Sequence, residues 1–389
     1  MHVVIIFKHL GHYHIARLNA AYQACIENGW TFTAIQVTDQ TQDHPWGDLK
    51  QAITFPLETL LPAATTPDHI DRRPDSSTAA AVLPVCLDKI KPDILVIPGW
   101  GFPISRAALH WSKQHKIPAI LMSESKWDDE PRTWWKELLK SWLYVQKFDA
   151  ALVGGNLHRE YLIRLGFSRE RIFLGYDVVD NDYFFEQAKT ARKSPNEARQ
   201  RCPQMPPRPY FLATTRLIPR KNILRLVQAY GSYFEQMGEQ SWDLVICGSG
   251  VEQSQIEQTI QLYQLGDRIH LPGFVTYQQI GDWYGLANAL IHPALQEQWG
   301  LVVNEACAAG LPILGSKTVG ACYELVQPHK NGFLFDPESS SEITESLLKI
   351  HRLDGNSRLE MGQISQKIVD QFHPRVFAQG LLQAIHTAL

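Results

Sequence analysis

The chain alternates short apolar runs with helical stretches, and it does so in two separate series. In the first half the apolar runs are VVIIF, FTAIQV, DILVIPG, IPAILMS and DAALVGG. In the second half the alternation resumes with YFLATTRL, DLVICGSG, IHLPGF, ALIHPAL and LPILGS. Continuous apolar runs separated by helices are typical of strands buried on both faces of a parallel sheet. The sequence therefore predicts an α/β protein with two Rossmann-like domains.

A segment of different composition separates the two series. Residues 187–210 carry six basic residues against one acidic residue, and four prolines lie in the last eight positions. A chain of 389 residues is long enough for two domains. We expect an N-terminal domain over 1–186, a basic, proline-rich linker over 187–210 and a C-terminal domain over 211–367. The last stretch, ISQKIVDQFHPRVFAQGLLQAIHTAL over 364–389, is predicted to be two helices joined at His373-Pro374, because proline interrupts the first.

Charge and cysteine content exclude several classes of protein. A net charge of −3 and a pI near 6.6 argue against a nucleic-acid binder, which needs a basic surface. The six cysteines contain no C-x-x-C pair, so neither a zinc site nor a disulfide framework is expected. The apolar run VVIIF is too short for a signal sequence or a membrane span. We expect a cytoplasmic protein, at most peripheral at the inner membrane surface.

Two carboxylates lie in the apolar stretch HPALQEQWGLVVNEACAAGLPILGS. Glu297 and Glu305 are eight positions apart, and such charges are costly unless they bind a ligand or face water. Glu297 follows a predicted strand, and Leu301 begins a predicted helix that contains Glu305. Both carboxylates therefore reach one ligand lying across the helix N-terminus. Because carboxylates accept hydrogen bonds from vicinal hydroxyls, we expect a ligand with sugar groups.

A second motif, TTRLIPRKN, follows a strand and begins a helix. Arg216 and Lys221 lie at this strand-to-helix junction, where backbone N–H groups and the helix dipole favour anions. Two fixed cations at such a place suit a diphosphate. The alternative is that Arg216, Arg220 and Lys221 form a solvated basic surface at the helix start.

These motifs, together with CGSG, LPGFV and YELVQPHKNGFLFDP, resemble the C-terminal half of family 4 retaining glycosyltransferases of the GT-B fold. The resemblance implies two Rossmann-like domains facing across a cleft, with a C-terminal helix over 368–389 that returns to the N-terminal domain. It implies a nucleotide-sugar donor as substrate, and neither a cofactor nor a metal. Bacterial relatives with this make-up build exopolysaccharide or glycolipid, including cyanobacterial envelope polysaccharide.

Position by position, the resemblance implies roles for individual residues. Arg216 and Lys221 would hold the donor diphosphate, Glu297 would contact the transferred sugar, and Glu305 would bind the ribose. The resemblance thus implies three catalytic residues: Arg216, Lys221 and Glu297. It implies that the donor is bound by Gly11, Phe274, Val275, Trp299, Gly300, Leu301, Val302 and Glu305.

The acceptor side departs from the family pattern. The loop after the first strand reads KHLGHYH, with one glycine where relatives have two, and its polar side chains are acceptor candidates: Lys8, His9, His12 and Tyr13. Many relatives have a histidine after the strand IPAILMS, whereas this chain has Ser123, Glu124 and Ser125. Glu124 either takes over a polar contact near the reacting centre or caps the loop.

Three further motifs are open to a structural interpretation. DND at 180–182 imitates a metal-binding D-x-D, but it matches the family's turn before the linker. CGSGVE at 247–252 lacks the third glycine of a dinucleotide fingerprint. The tryptophans of WDDEPRTWWKELLKSWL either pack on the N-terminal sheet, which we favour, or dock on a membrane that carries a lipid-linked acceptor.

The predicted function is retaining transfer of a hexose or hexuronic acid to a saccharide or lipid-linked acceptor. UDP-glucose or UDP-glucuronate would be the donor. Two alternatives are a nucleotide-sugar epimerase of the same fold and a non-catalytic nucleotide-sugar-binding protein.

Overall fold

The computed structural model describes residues 1–39, 49–61 and 76–389. These residues divide into two compact units. The first unit comprises Met1–Val179 and Phe372–Leu389, and the second comprises Asp180–Gln371. The chain therefore leaves the first unit, completes the second and returns to the first.

In the first unit, the described residues form a parallel sheet in the order β3-β2-β1-β4-β5-β6-β7. The strands are β1 His2–Phe7, β2 Thr31–Gln36, β3 Leu57–Thr59, β4 Ile94–Pro98, β5 Ala119–Ser123, β6 Ala150–Val153 and β7 Ile172–Leu174. The helices are α1 His12–Glu27, α2 Ser76–Ile90, α3 Pro103–His115, α4 Trp134–Leu143, α5 Asn156–Arg164 and, at the end of the chain, α15 Pro374–Ala388.

The second unit has a parallel sheet in the order β10-β9-β8-β11-β12-β13. Its strands are β8 Tyr210–Thr214, β9 Asp243–Cys247, β10 Ile269–Gly273, β11 Ala289–His292, β12 Ile313–Ser316 and β13 Gly332–Phe335. Its helices are α6 Asn181–Lys193, α7 Pro195–Arg201, α8 Ile223–Met237, α9 Gln253–Leu262, α10 Tyr277–Leu286, α11 Leu301–Ala308, α12 Gly320–Leu325, α13 Ser340–Arg352 and α14 Gly355–Val369.

The prediction of two Rossmann-like parallel-sheet domains is confirmed. Every apolar run named above contains a strand, because strands buried on both faces have to be apolar throughout. Three strands that the sequence did not signal are β3, β7 and β13. Each has only three or four residues and is partly exposed, so it shows neither a long apolar run nor an alternation.

The helix α15 completes the core of the first unit. Its buried residues Phe377, Leu381, Ala384 and Ile385 belong to the same apolar cluster as the β1 side chains Val3, Ile5 and Phe7. Residues from β5 and β6 line that cluster as well. This position agrees with a C-terminal helix that returns to the N-terminal domain.

Residues 187–210 differ from the expected linker. Most of them form the end of α6 and all of α7, which belong to the second unit. Pro195 is the first residue of α7, where a missing N–H costs nothing. Two of the arginines bind the second unit: Arg201 makes a bidentate pair with Asp282 at 2.8 and 2.7 Å, and Arg192 donates to the Ala309 carbonyl at 2.6 Å. The basic, proline-rich composition of residues 187–210 therefore belongs mainly to helices packed in the second unit, not to a linker.

Among the residues described, no helix combines the length and the apolar character that crossing a bilayer requires.

Candidate active site

The predicted catalytic residues Arg216, Lys221 and Glu297 lie where the strand order of the second unit reverses. Strands β8 and β11 are parallel neighbours at the centre of the sheet, and the connections from them lead to opposite edges. Arg216 and Lys221 follow β8, whereas Glu297 and Gly300 follow β11. In doubly wound sheets, ligands bind at the carboxyl ends of the strands at this reversal point.

An ion pair joins the two loops. The Lys221 ammonium donates to Glu297 Oε2, and the Lys221 side chain is only 9% exposed. Backbone contacts fix the same loops, because Leu295 N–H donates to the Arg220 carbonyl at 2.8 Å. Asn222 Nδ2 donates to the carbonyl of Pro293 at 3.0 Å. The cation and the carboxylate are therefore held in place before any ligand arrives.

His292 lies beneath this ion pair, at the end of β11. Its Nε2 atom is 3.3 Å from Glu297 Oε2, and the residue is almost fully buried. Burial, followed by the nearby charge of Lys221, lowers the pKa of His292 well below its usual value. The imidazole is therefore neutral at physiological pH, and the positive charge opposite Glu297 is that of the protonated form of Lys221.

Glu305 is held from the other side by a short hydrogen-bonded chain. The Tyr284 hydroxyl donates to Glu305 Oε2 at 2.7 Å and lies 2.9 Å from the Thr214 hydroxyl. Burial raises the pKa of Glu305 to about 7, and the Tyr284 hydrogen bond acts in the opposite direction. Glu305 thus keeps one oxygen on Tyr284 while remaining partly open to solvent.

Gly300 precedes α11 in a conformation that favours glycine. Its φ is +104°, and a Cβ there would lie 3.1 Å from Val319 and 3.5 Å from His292 Nε2. The glycine lets the start of α11 approach the Glu297 loop closely. Leu301 and Val302 in the first turn of α11 are half-buried.

Trp299 has a packing role that the sequence did not reveal. Its indole is buried, and Nε1 donates to Asn304 Oδ1 at 2.8 Å. Its carbonyl accepts from Ala321 N–H at 2.9 Å. The predicted contact of Trp299 with a donor cannot come from this side chain.

The two glycines of CGSG allow the loop after β9 to lie close to the loop that carries Arg216. A Cβ at Gly248 would lie 1.8 Å from the Thr215 carbonyl oxygen, and one at Gly250 would lie 2.3 Å from that of Leu217. The close approach is held by Leu217 N–H, which donates to the Ser249 carbonyl at 2.9 Å. Arg216 itself is exposed, so its guanidinium extends from a fixed backbone into solvent.

Aromatic side chains lie at the same edge of the second sheet. Phe274 follows β10 and is 48% exposed, and Val275 is half-buried beside it. Tyr183 and Tyr277 stack with ring centroids 4.4 Å apart, and the charge of Glu305 acts on both hydroxyls. The predicted donor-binding residues Phe274 and Val275 therefore lie near further aromatic rings that the sequence analysis did not select.

The acceptor candidates occupy the carboxyl edge of the first sheet. Lys8 and His9 follow β1, whereas His12 and Tyr13 lie in the first turn of α1 and not in a loop. Gly11 is the N-cap of α1 and donates its N–H to the His14 ring at 3.0 Å. Gly11, predicted to bind the donor, therefore has its N–H engaged within α1.

Glu124 follows β5 at the same edge and forms part of a buried network. Its side chain hydrogen-bonds the carboxyl group of Asp177. Burial, followed by the charge of Glu124, raises the pKa of Asp177 well above its usual value, and Arg17 opposes this.

Asp180, from the DND motif, accepts from Tyr183 N–H at 3.0 Å and caps α6.

Sequence reasoning missed Tyr284, Thr214 and His292. The first two occur in segments whose apolar and aromatic content is that of ordinary core. His292 carried a usable signal, because it is a titratable residue that ends an apolar strand immediately before proline.

Residues 196–368 match the family model described as "Glycosyl transferases group 1". This segment, which makes up most of the second unit, is similar to the group 1 glycosyltransferases. The matched segment contains each predicted donor residue of the second unit, from Arg216 to Glu305.

Solved structures show that the whole chain has the GT-B fold. Sucrose-phosphate synthase (tll1590) from Thermosynechococcus elongatus is 18% identical, with a TM-score of 0.76 over 99% of this chain and 98% of that one. Anabaena Alr3699/HepE in complex with UDP and glucose is 16% identical, with a TM-score of 0.73 over 99% of each chain.

Curated relatives match a shorter stretch. Sucrose-phosphate synthase 4 of Arabidopsis thaliana is 31% identical in a 160-residue alignment that covers 37% of this chain and 15% of the plant protein. The sucrose-phosphate synthase of Spinacia oleracea is 32% identical over 158 residues, with the same shares. The similarity thus spans a small part of the length of these relatives.

Proposed function

We propose that this glycosyltransferase moves a hexose or hexuronic acid from UDP-glucose or UDP-glucuronate to a saccharide or lipid-linked acceptor in polysaccharide synthesis, with retention at the sugar carbon. The observation that carries the proposal is the Lys221–Glu297 ion pair at the strand reversal, with Arg216 on the same loop and Glu305 on the following helix. The Anabaena protein of similar fold, solved with UDP and glucose, supports a uridine nucleotide.

In the proposed complex the donor lies across the start of α11. Glu305 accepts hydrogen bonds from the ribose hydroxyls through the oxygen that Tyr284 does not hold. Lys221 and Arg216 neutralise the diphosphate, so no metal is required. The backbone at Gly300, Leu301 and Val302 meets the phosphates and the sugar.

The reaction places its largest demand on Lys221. As the bond between the sugar carbon and the phosphate oxygen breaks, negative charge builds on the diphosphate, and a fixed cation is worth most at that moment. The acceptor oxygen bonds to the same face of the sugar carbon, and its proton passes to a phosphate oxygen of the leaving UDP. Glu297, paired with Lys221, contacts the sugar and does not act as a nucleophile.

The acceptor side of the proposal rests on the first unit. Lys8, His9, His12, Tyr13 and Glu124 are the candidates, since they gather at the carboxyl edge of its sheet. The proposed place of action is the cytoplasm, with peripheral contact at the inner membrane surface where a lipid-linked acceptor would lie.

Calorimetric titration with UDP, GDP and ADP, without added metal and in the presence of EDTA, tests the donor site. We expect micromolar binding of UDP and at least ten-fold weaker binding after Glu305→Ala, because the ribose loses a charged acceptor. Glu345→Ala, which removes an exposed carboxylate from α13, is the matched control and should bind as the wild type does. Binding of none of the nucleotides, or equal binding by both variants, would contradict the proposed donor site.

The pKa values of the site predict a bell-shaped dependence of donor affinity on pH. Burial raises the pKa of Glu305 to about 7, so its carboxylate form is lost below that pH. Burial, followed by repulsion from Arg220 and Arg216, lowers the pKa of Lys221 to about 7, so its charge is lost above that pH. We expect affinity for UDP-glucose to be highest near pH 7 and to fall by up to ~10-fold per unit on either side.

Two variants test which residue causes each limb of this pH profile. UDP-glucose is the suitable ligand because it lacks the phosphate monoester that ionises near pH 6. Glu305→Gln should abolish the acid limb alone, and Lys221→Arg should abolish the alkaline limb alone. A limb that survives its own substitution would belong to a different group.

A further inference from the structure

The helix α4 presents most of its apolar side chains to solvent, and its buried side chains, Glu137 and Ser141, are polar. Trp134 and Trp142 are 73% and 71% exposed, and the side chains between them on the same surface are also exposed. We call this surface the aromatic face of α4: Trp134, Trp135, Leu138, Leu139 and Trp142. The spacing of these residues forms one continuous stripe along the helix. The favoured prediction, that the tryptophans pack on the N-terminal sheet, is therefore wrong.

The orientation of α4 is fixed by polar contacts on its inner side. Glu137 and Ser141 are buried, and Glu137 accepts from the Tyr161 hydroxyl at 2.5 Å. Lys140 donates to Glu137 at 2.8 Å and to Tyr161 at 2.8 Å. Turning the tryptophans inward would break this network and expose its charges. The aromatic face is thus a stable feature of the folded unit.

The size of the face indicates that something covers it. The three tryptophans and two leucines together expose roughly 500 Å² of apolar surface. The largest apolar patch on an ordinary monomer is about 300 to 600 Å² and is often functional. A stable protein interface needs about 800 Å² from each partner, which this face alone does not provide. Area alone therefore favours insertion into a lipid surface over a dimer.

The charges beside the face agree with a lipid surface. Lys136 and Lys147 are exposed, and Lys136 Nζ lies 5.6 Å from the centre of the Trp135 ring. The exposed acidic groups Asp128 and Glu130 are paired with Lys126 and Arg132. Tryptophan and lysine together are typical of helices in the headgroup region, whereas lysine is depleted from protein interfaces.

We propose that the aromatic face of α4 docks the protein on a membrane surface that contains anionic phospholipid. The tryptophans insert at the level of the headgroups, and Lys136 and Lys147 meet lipid phosphates. The inference goes beyond the transfer reaction, because it depends only on the surface of the first unit and holds whichever donor is used.

The test is co-sedimentation of the full-length protein with vesicles. Equal parts of phosphatidylglycerol and phosphatidylcholine are compared with phosphatidylcholine alone, without nucleotide. We expect the mixed vesicles to bind the protein at least ten-fold more tightly. Trp134→Ser/Trp142→Ser should weaken that binding at least ten-fold, and Lys136→Glu/Lys147→Glu should weaken it several-fold.

The matched control is Val251→Ser/Leu262→Ser, which removes two apolar side chains that are 85% and 79% exposed in the second unit. This control should bind vesicles as the wild type does. The tryptophan variant should keep the wild-type affinity for UDP-glucose in the absence of lipid, which shows that it is folded.

Three results would overturn the inference. One is a wild-type protein that does not sediment with the mixed vesicles. Another is a tryptophan variant that sediments as well as the wild type. The last is a lipid-independent dimer, seen by sedimentation velocity, that the tryptophan substitutions abolish, because a second copy would then cover the face. Failure of nucleotide binding would leave vesicle binding intact and would concern the transfer reaction alone.

Discussion

Replacing Lys221 with alanine is expected to lower kcat/KM for sugar transfer by about 10²- to 10³-fold. The substitution removes a buried cation from the position where the leaving diphosphate gains charge, and losses of this size follow removal of one such group. It also leaves Glu297, which is 14% exposed, without its ionic partner. The measurement is UDP release from UDP-glucose, to water where no acceptor is supplied.

The neighbouring residue provides the control. Arg220 is exposed, and its backbone carbonyl, which anchors Leu295, remains after Arg220→Ala. We expect this variant to lose less than about three-fold in kcat/KM, as exposed charges contribute little. Equal losses in both variants would favour a general basic surface. A Lys221→Ala enzyme with weaker donor binding and an unchanged kcat would show that Lys221 acts in the ground state only.

Gly248→Ala is expected to destabilise the second unit by about 3 kcal/mol or more, because the new methyl group meets a backbone oxygen and the residue is held at positive φ. The Cβ would lie 1.8 Å from the Thr215 carbonyl oxygen, at a φ of +143°. Neither the strand nor the loop can move away without breaking the bond between Leu217 N–H and Ser249. We expect Tm to fall by roughly 5–10 °C.

A glycine elsewhere in the same unit separates this clash from the general effect of replacing glycine. Gly266 is exposed, and a Cβ there would have no neighbour within 4 Å. Gly266→Ala should change Tm by no more than about 2 °C. Scanning calorimetry of both variants decides the matter, and equal Tm values would contradict the close approach between the two loops.

The strands and the two carboxylates could be predicted because the local sequence of each differs from that of an ordinary segment. A parallel strand is apolar on both sides, and a charge in an apolar stretch demands a partner. Glu297 and Glu305 stand out for that reason. Tyr284 does not, since a buried tyrosine in a helix resembles any core aromatic until the fold places Glu305 beside its hydroxyl.

The orientation of α4 could not be predicted from the sequence, for a different reason. Its periodicity defines an apolar face and a polar face, but periodicity contains no information about which of the two faces inward. That choice is made by Tyr161 on α5, whose hydroxyl binds Glu137 and Lys140. The usual rule that apolar faces point inward therefore gave the wrong orientation. Residues 187–210 were predicted to be a linker for a similar reason. Composition alone does not distinguish a proline at the start of a helix from a proline in a linker.

The return of α15 to the first unit has a consequence for biosynthesis. The ribosome synthesises β1 before the second unit and α15 only after it, yet Phe377, Leu381 and Ile385 belong to the same core as β1. The second unit is continuous in the chain and needs no later residues for its own core. Although it is translated later, the second unit can finish folding first, and the nascent first unit has an exposed apolar surface until translation reaches α15.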